Sequence, residues 1–214
     1  MAETIAERIA RLIGERIVSG DLLPGTRLRQ EHIAYEFETS HVPSREAFQL
    51  LRARGLVVSE PRRGIRVAPL DHATIQETVE IRAALETLAL KHAAPRMNMA
   101  SFEKIEQALV AGDRATTITE WERENRAFHN SLVAPCKMPR LIAMLNDLQL
   151  VNSRIIFSVN RSAGWQPGSS HAHRKIVNAL KQRDFKRAVT LLDAHIRGLE
   201  QSSGDDSSQN APRQ

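Results

Sequence analysis

The stretch TSHVPSREAFQLLRARGLVVSEPRRGIRV, residues 39–67, constrains this chain more than any other. Thr39 or Ser40 can cap a helix, and Pro43 then falls in the first turn, where its missing N–H costs nothing. Ala47, Leu50 and Leu51 recur on the inward side of a helix over residues 41–54, and Gly55 is placed to stop it. Two β-rich runs, LVVSE and GIRVAPL, flank PRRG and read as a hairpin. A plain core helix needs neither a basic, hydroxyl-rich end nor an arginine-bearing hairpin behind it. A helix that enters a DNA groove with a wing beside it needs both.

The residues upstream complete the motif. Ile5, Ile9, Leu12, Ile13 and Ile17 follow the rhythm of an amphipathic helix, which ends at the turn SGDLLPGT. RQEHIAYEF supplies a short second helix buried through Ile33, Ala34 and Phe37. Helix, helix, helix, hairpin within residues 1–69 is the order of a winged helix-turn-helix. The chain of 214 residues carries a net charge of +5, and six arginines against Glu46 and Glu60 lie between Arg45 and Arg66. Such an excess suits a polyanion.

In this motif the N-terminal end of the second helix lies nearest the bases. Ser40, His41, Ser44 and Arg45 occupy that end. The two serines are short enough for the backbone to approach phosphates, and Arg45 can take a guanine edge or a phosphate. Arg52, two turns on, suits backbone contact. Arg62, Arg63, Gly64 and Arg66 form the wing, within reach of phosphates or the minor groove. The plainer reading of these arginines is an ordinary solvated face.

Beyond a linker at APLDHATIQE, only helical periodicity is found up to about residue 202. Segments 75–92, 99–110 and 116–133 precede one that starts near 139 and either bends or is long. NRSAGWQPGSS reads as a loop, and helices over 171–182 and 184–201 follow. The fold class is therefore mainly α: a winged helix-turn-helix over 1–69, then an all-α bundle of six to seven helices over 70–202. Residues 203–214 are polar and read as a disordered tail. The single Cys136 excludes an internal disulfide framework and fits a reducing compartment. No apolar run of membrane-spanning length and no signal peptide are seen, so the expected location is the cytoplasm, with no membrane partner.

Within the bundle, Asn125 and His129 stand at i, i+4 and share a helix face, while His173 and His195 belong to two later helices. Three imidazoles and one oxygen ligand converging inward suit a transition metal such as zinc or nickel, with positions left open. The other reading is surface or satisfied core histidines. His171 reads as a helix-start residue and Cys136 as a small buried one.

Residues 18–67 resemble the N-terminal winged helix of GntR-type bacterial transcription regulators. The resemblance rests on the GDLLPGTRL start, the short helix, the SHVPSREAF run and the closing RGIRV. The chain departs from that pattern at His41, where arginine is usual, at Ser44, where valine is common, and at Glu31, where several members carry a DNA-contacting arginine. The second part resembles the FCD ligand-binding bundle, through Arg82 and Glu86 in EIRAALETLAL, NRAFH, HRKIVNALKQRD and His195. That resemblance implies metal ligation by Asn125, His129, His173 and His195, with Asn125 in place of the usual aspartate. It also implies an effector-binding Arg82 that pairs a ligand carboxylate; the alternative for Arg82 is a salt bridge to Glu86. Arg154 is a further candidate for the effector cavity.

The expectation is a homodimer that reads a near-palindromic double-stranded operator and responds to a small carboxylate metabolite. Repression relieved by the ligand is the commoner pattern in the family. Two other classes stay open: a metal-dependent enzyme acting on a small acid, and an architectural DNA-binding protein with a purely structural bundle.

Overall fold

The computed structural model describes residues 3–163 and 170–204. Most of the expected loop NRSAGWQPGSS, and the expected tail from residue 205 on, lie outside these residues. The chain divides into two compact units: one holds the residues up to Asp71 together with Leu150–Ser158, the other His72–Gln149 and the residues from Val159 on.

In the first unit, α1 (Ile5–Ser19) starts at Thr4. The Glu7 N–H donates to Thr4 Oγ1 at 3.2 Å, and the Thr4 N–H donates to Glu7 Oε2 at 2.8 Å, a reciprocal box that satisfies two otherwise unpaired donors. Ile9, Ala10, Ile13 and Ile17 form its buried stripe, whereas Ile5, expected on that stripe, is 58% exposed. After β1 (Arg27–Leu28) come α2 (Gln30–Glu36) and α3 (His41–Ala53), then β2 (Val57–Glu60) and β3 (Gly64–Val67). The strand order is β1-β3-β2, all antiparallel. The hairpin expected at PRRG is thus joined by a third strand, which at two residues is too short to show a period.

The end of α3 follows from Gly55. It adopts φ +70°, its N–H donates to Arg52 O and the Leu56 N–H donates to Leu51 O, each at 3.0 Å. This double closure needs a left-handed residue after the cap, the conformation glycine adopts without a Cβ penalty. Leu51 and Leu56 are both buried, which seals the turn into the unit's core with Ile13, Phe48 and Val67.

The second unit consists of α4 (His72–Ala93), α5 (Met99–Asp113), α6 (Ile118–Val133), α7 (Pro139–Ala163) outside its Leu150–Ser158 segment, α8 (Ser170–Lys181) and α9 (Phe185–Gly204). The segment expected to bend or be long is one helix of 25 residues. Capping boxes at Asn98 with Ser101, and at Thr117 with Glu120, set the starts of α5 and α6. α4 packs against α6 and α9 and buries residues on about half of its circumference. Its apolar positions Val79, Ala83 and Leu90 join Ile105, Phe128, Leu132, Leu145, Ile176, Leu192 and Ile196 in one core. Each fully buried leucine or isoleucine there contributes about 1.5–3 kcal/mol. That is enough to carry the buried polar groups of α4 that define the site below.

Candidate nucleic-acid interface and candidate metal centre

The face of α3 follows from which residues its core takes. Ser44, Ala47, Phe48 and Leu51 are buried. His41, Arg45, Gln49 and Arg52 are exposed, and their spacing of four, four and three places them on one outward stripe. Ser40 is the exposed N-cap, without a side-chain capping bond; instead Gln30 Nε2 donates to the His41 carbonyl at 2.6 Å and ties α2 to the start of α3. Ser44 departs from expectation. It is 0% exposed and its hydroxyl reaches back to the Ser40 carbonyl at 3.5 Å, so it lies on the packed side of the helix. Gln49 was missed, although it lies one turn from Arg45. A glutamine amide on such a face can bond an adenine edge bidentately.

On the wing, Arg62 and Gly64 take left-handed φ of +64° and +82° and turn β2 into β3. Arg62 is exposed and has no ion pair among the described residues. Glu60 Oε2 lies 3.8 Å from Arg63 and 3.4 Å from Arg66, and Arg66 also donates to the Gly25 carbonyl at 2.8 Å. The wing cations are therefore unequal: Arg66 is held by the sheet, and Arg62 is free to meet a phosphate.

The second unit brings three of the four expected ligands together. His129 of α6, His173 of α8 and His195 of α9 present ring nitrogens that all lie within 4.8 Å of one another. Nε2 of His195 is 3.1 Å from Nε2 of His173 and 3.3 Å from Nε2 of His129. Asn125, one turn before His129, is buried and lines a cavity of about 10 Å3 with Phe128 and His173, room for about one water-sized group. Phe128 stacks on the His173 ring at 4.0 Å and fixes its plane. His171 is exposed.

Behind the imidazoles stands a buried charge relay on α4. Arg82 and Glu86, one turn apart and 1% and 0% exposed, pair through Nε and Nη2 to Oε1 at 2.9 and 2.7 Å. The other oxygen of Glu86, Oε2, meets His129 Nδ1 at 2.7 Å. The salt-bridge alternative for Arg82 is thus realised, and Arg82 Nη1 remains buried without a hydrogen-bond partner among the described residues. Burial alone would raise the Glu86 carboxyl, but Arg82 and His129 outweigh it and hold it near 2. In the neutral tautomer that donates Nδ1–H to Glu86, His129 turns its Nε2 lone pair toward His195. Burial, then the charges of His129 and Arg82, push His195 down to about 3. Burial, with His129 and His195, pushes His173 well below the usual imidazole range. Arg154, the further effector candidate, bonds within the first unit. It belongs to the part of α7 grouped with the first unit, and its Nη2 donates to the Ala68 carbonyl at 2.6 Å.

Comparison with known proteins agrees with both halves. Residues 5–67 match the bacterial regulatory proteins of the gntR family, and residues 77–198 match the FCD domain. The chain is 30% identical to a probable D-xylose utilization operon transcriptional repressor of Paenarthrobacter nicotinovorans, over 90% of this chain and 86% of that protein. A GntR family transcriptional regulator from Pseudomonas syringae pv. tomato is 27% identical, with a TM-score of 0.58 over 96% of this chain and 87% of that one. The E. coli McbR/YncC structure, 18% identical, shares the fold at a TM-score of 0.79 over 97% of this chain and 100% of that one. The chain belongs to the GntR family of bacterial regulatory proteins, in the form that carries an FCD domain. It is a DNA-binding transcriptional regulator; the family and its relatives are regulators rather than enzymes, which sets aside the metal-dependent enzyme. No helix among the described residues is long and apolar enough to cross a membrane.

Proposed function

We propose that this chain is a cytoplasmic, homodimeric repressor whose residues 1–69 bind operator DNA and whose residues 70–202 sense a small carboxylate at a transition-metal centre, with zinc or nickel as the resident ion. The observation that carries the reading is the convergence of His129, His173 and His195 beside the buried Arg82. His195 Nε2 has one hydrogen at most, yet it faces two ring nitrogens, one of which, on His129, presents a lone pair. Such a cluster is satisfied by a cation. Nitrogens about 2.0–2.1 Å from a shared ion stand about 2.8–3.4 Å apart for angles between octahedral and tetrahedral, and the separations of 3.1 and 3.3 Å fall within that span. FCD domains commonly bind metal, and Asn125 offers a neutral oxygen as the fourth protein ligand.

A bound divalent ion supplies open coordination positions that accept a carboxylate oxygen. Arg82 supplies the charge complement: its unpartnered Nη1 is a buried donor that a second carboxylate oxygen would satisfy. That cation favours an acid over a neutral sugar as the effector. On the DNA side, Ser40, His41, Arg45 and Arg52 with Arg62, Arg63 and Gly64 make the contacts, two copies reading two half-sites. Differential affinity of the acid for the DNA-free form, worth about 1–3 kcal/mol, is enough to release the operator.

The test is metal analysis of protein purified without chelator, followed by thermal melts against a panel of mono- and dicarboxylates. Equimolar zinc or nickel, with stabilisation by an acid that is lost in Arg82→Met, supports the reading. Protein free of metal that no carboxylate stabilises points to a purely structural bundle instead.

A further inference from the structure

We propose that Arg27 and Arg29, outside both the recognition helix and the wing turn, hold a DNA backbone phosphate in a groove between the wing and α2. The proposal rests on the DNA-binding function of the first unit. Arg27, Arg29, Gln30, Glu31, Phe48 and Gly64 are among the residues that line an open groove of about 500 Å3 within that unit. Both arginines are exposed, and neither has an ion pair or hydrogen-bonded acid among the described residues.

Three features point to an anion there. First, Arg27 stands directly opposite Arg66 in the β1–β3 ladder, and like charges at opposed positions of an antiparallel pair destabilise it. Arg66 is relieved by Glu60 and the Gly25 carbonyl, whereas Arg27 has no counterion among the described residues. Second, the Arg27 guanidinium lies over Gly64: a Cβ built there would meet Arg27 Nε at 3.9 Å. The wing backbone and the cation thus face the same space, which admits a phosphate oxygen without a side chain in its way. Third, Gln30, which lines the groove, donates to the His41 carbonyl at 2.6 Å, so the groove lies beside the start of α3. A strand whose bases meet His41 and Arg45 therefore carries its phosphates past Arg29 and Arg27. Glu31, on the same groove, opposes an anion, so two arginines leave a net single positive charge for one phosphate.

Phosphate contacts release counterions and are read from the salt dependence of binding, independent of sequence. The probe is a mixed-sequence DNA duplex of about three helical turns, titrated with the full chain from about 50 to 200 mM salt. Arg123→Ala serves as the charge control, because Arg123 pairs with Glu124 on α6, outside this unit. Arg27→Ala with Arg29→Ala is expected to flatten the slope of log affinity against log salt by about 0.9 per phosphate lost. Arg27→Lys restores much of it, and Arg123→Ala leaves it unchanged. Melting curves of the variants fall no lower than wild type, since the replaced side chains are exposed and Arg27 opposes Arg66. A double variant with the wild-type slope, or a control that flattens it equally, overturns the proposal. Wild-type protein that holds no duplex at low salt would instead overturn the DNA-binding function beneath it.

Discussion

Glu86 of α4 reaches His129 of α6 across 43 residues of sequence, Oε2 to Nδ1 at 2.7 Å, while its other oxygen takes two N–H groups of Arg82. One carboxylate therefore orients a candidate metal ligand and holds the Arg82 guanidinium in place. A buried ion pair of this kind is not a strong source of stability, since desolvation opposes it. Its value lies in orientation.

Glu86→Gln keeps the shape of the side chain and removes its charge. The amide cannot hold the His129 ring as firmly, and Arg82 is left buried without a counter-charge. Metal affinity, measured by competition with a chromophoric chelator, is expected to fall about 10–100-fold. The melting temperature of the metal-free variant is expected to drop as well, by an amount equivalent to about 3–5 kcal/mol.

Removal of the metal is expected to separate wild type from His129→Ala. Ligand that binds only the folded chain at 100 times its dissociation constant adds about 2.7 kcal/mol. Wild-type protein should therefore melt several degrees lower after dialysis against a chelator and recover with zinc. His129→Ala should melt at the same temperature with and without zinc.

Acid should weaken the metal-free helical unit before it titrates ordinary surface carboxylates. In the unfolded chain His173 and His195 take up protons near 6.5, whereas folded His195 does so only near 3 and folded His173 is also shifted down. Proton uptake by the unfolded state then exceeds that of the folded state across this window, so the stability contribution is full above about 6.5 and is lost as pH falls toward 3. Glu86 adds a loss of the same sign from 4.5 down to about 2. Urea melts of chelator-treated protein at pH 7 and pH 5 measure it; His195→Leu should show the smaller difference. Equal losses in the two proteins would refute the assignment.

Gly55→Ala tests the stop of α3 apart from any ligand. The nearest atom to an added Cβ is Val151 Cγ2 at 3.8 Å, so there is room for it, and the penalty comes from φ +70° alone. A loss of about 1 kcal/mol, read by denaturant melts, is expected. A neutral substitution would mean that the left-handed cap carries little of the helix boundary.

Much of this was legible in the chain. Pro43, Gly55 and the PRRG turn act through local backbone preferences, so the third helix and the wing could be read from neighbours a few residues apart. Ser44 was misplaced although it lies three residues before Ala47 and seven before Leu51, a phase that belongs to the buried stripe. Gln49 carried the opposite phase and was legible by the same rule. β1 was not, since two residues have no period.

The amino-acid order by itself determined which segments are helical and, within a few residues, where they start and stop, because these depend on contacts within a few turns; it left the histidines of the bundle open between inward and surface positions. Only the tertiary structure decided that three of those imidazoles share one point, that Glu86 binds both Arg82 and His129, and that Arg154 bonds the Ala68 carbonyl. These depend on which helices pack face to face and at what rotation, and that is settled by side chains tens of residues apart filling one core.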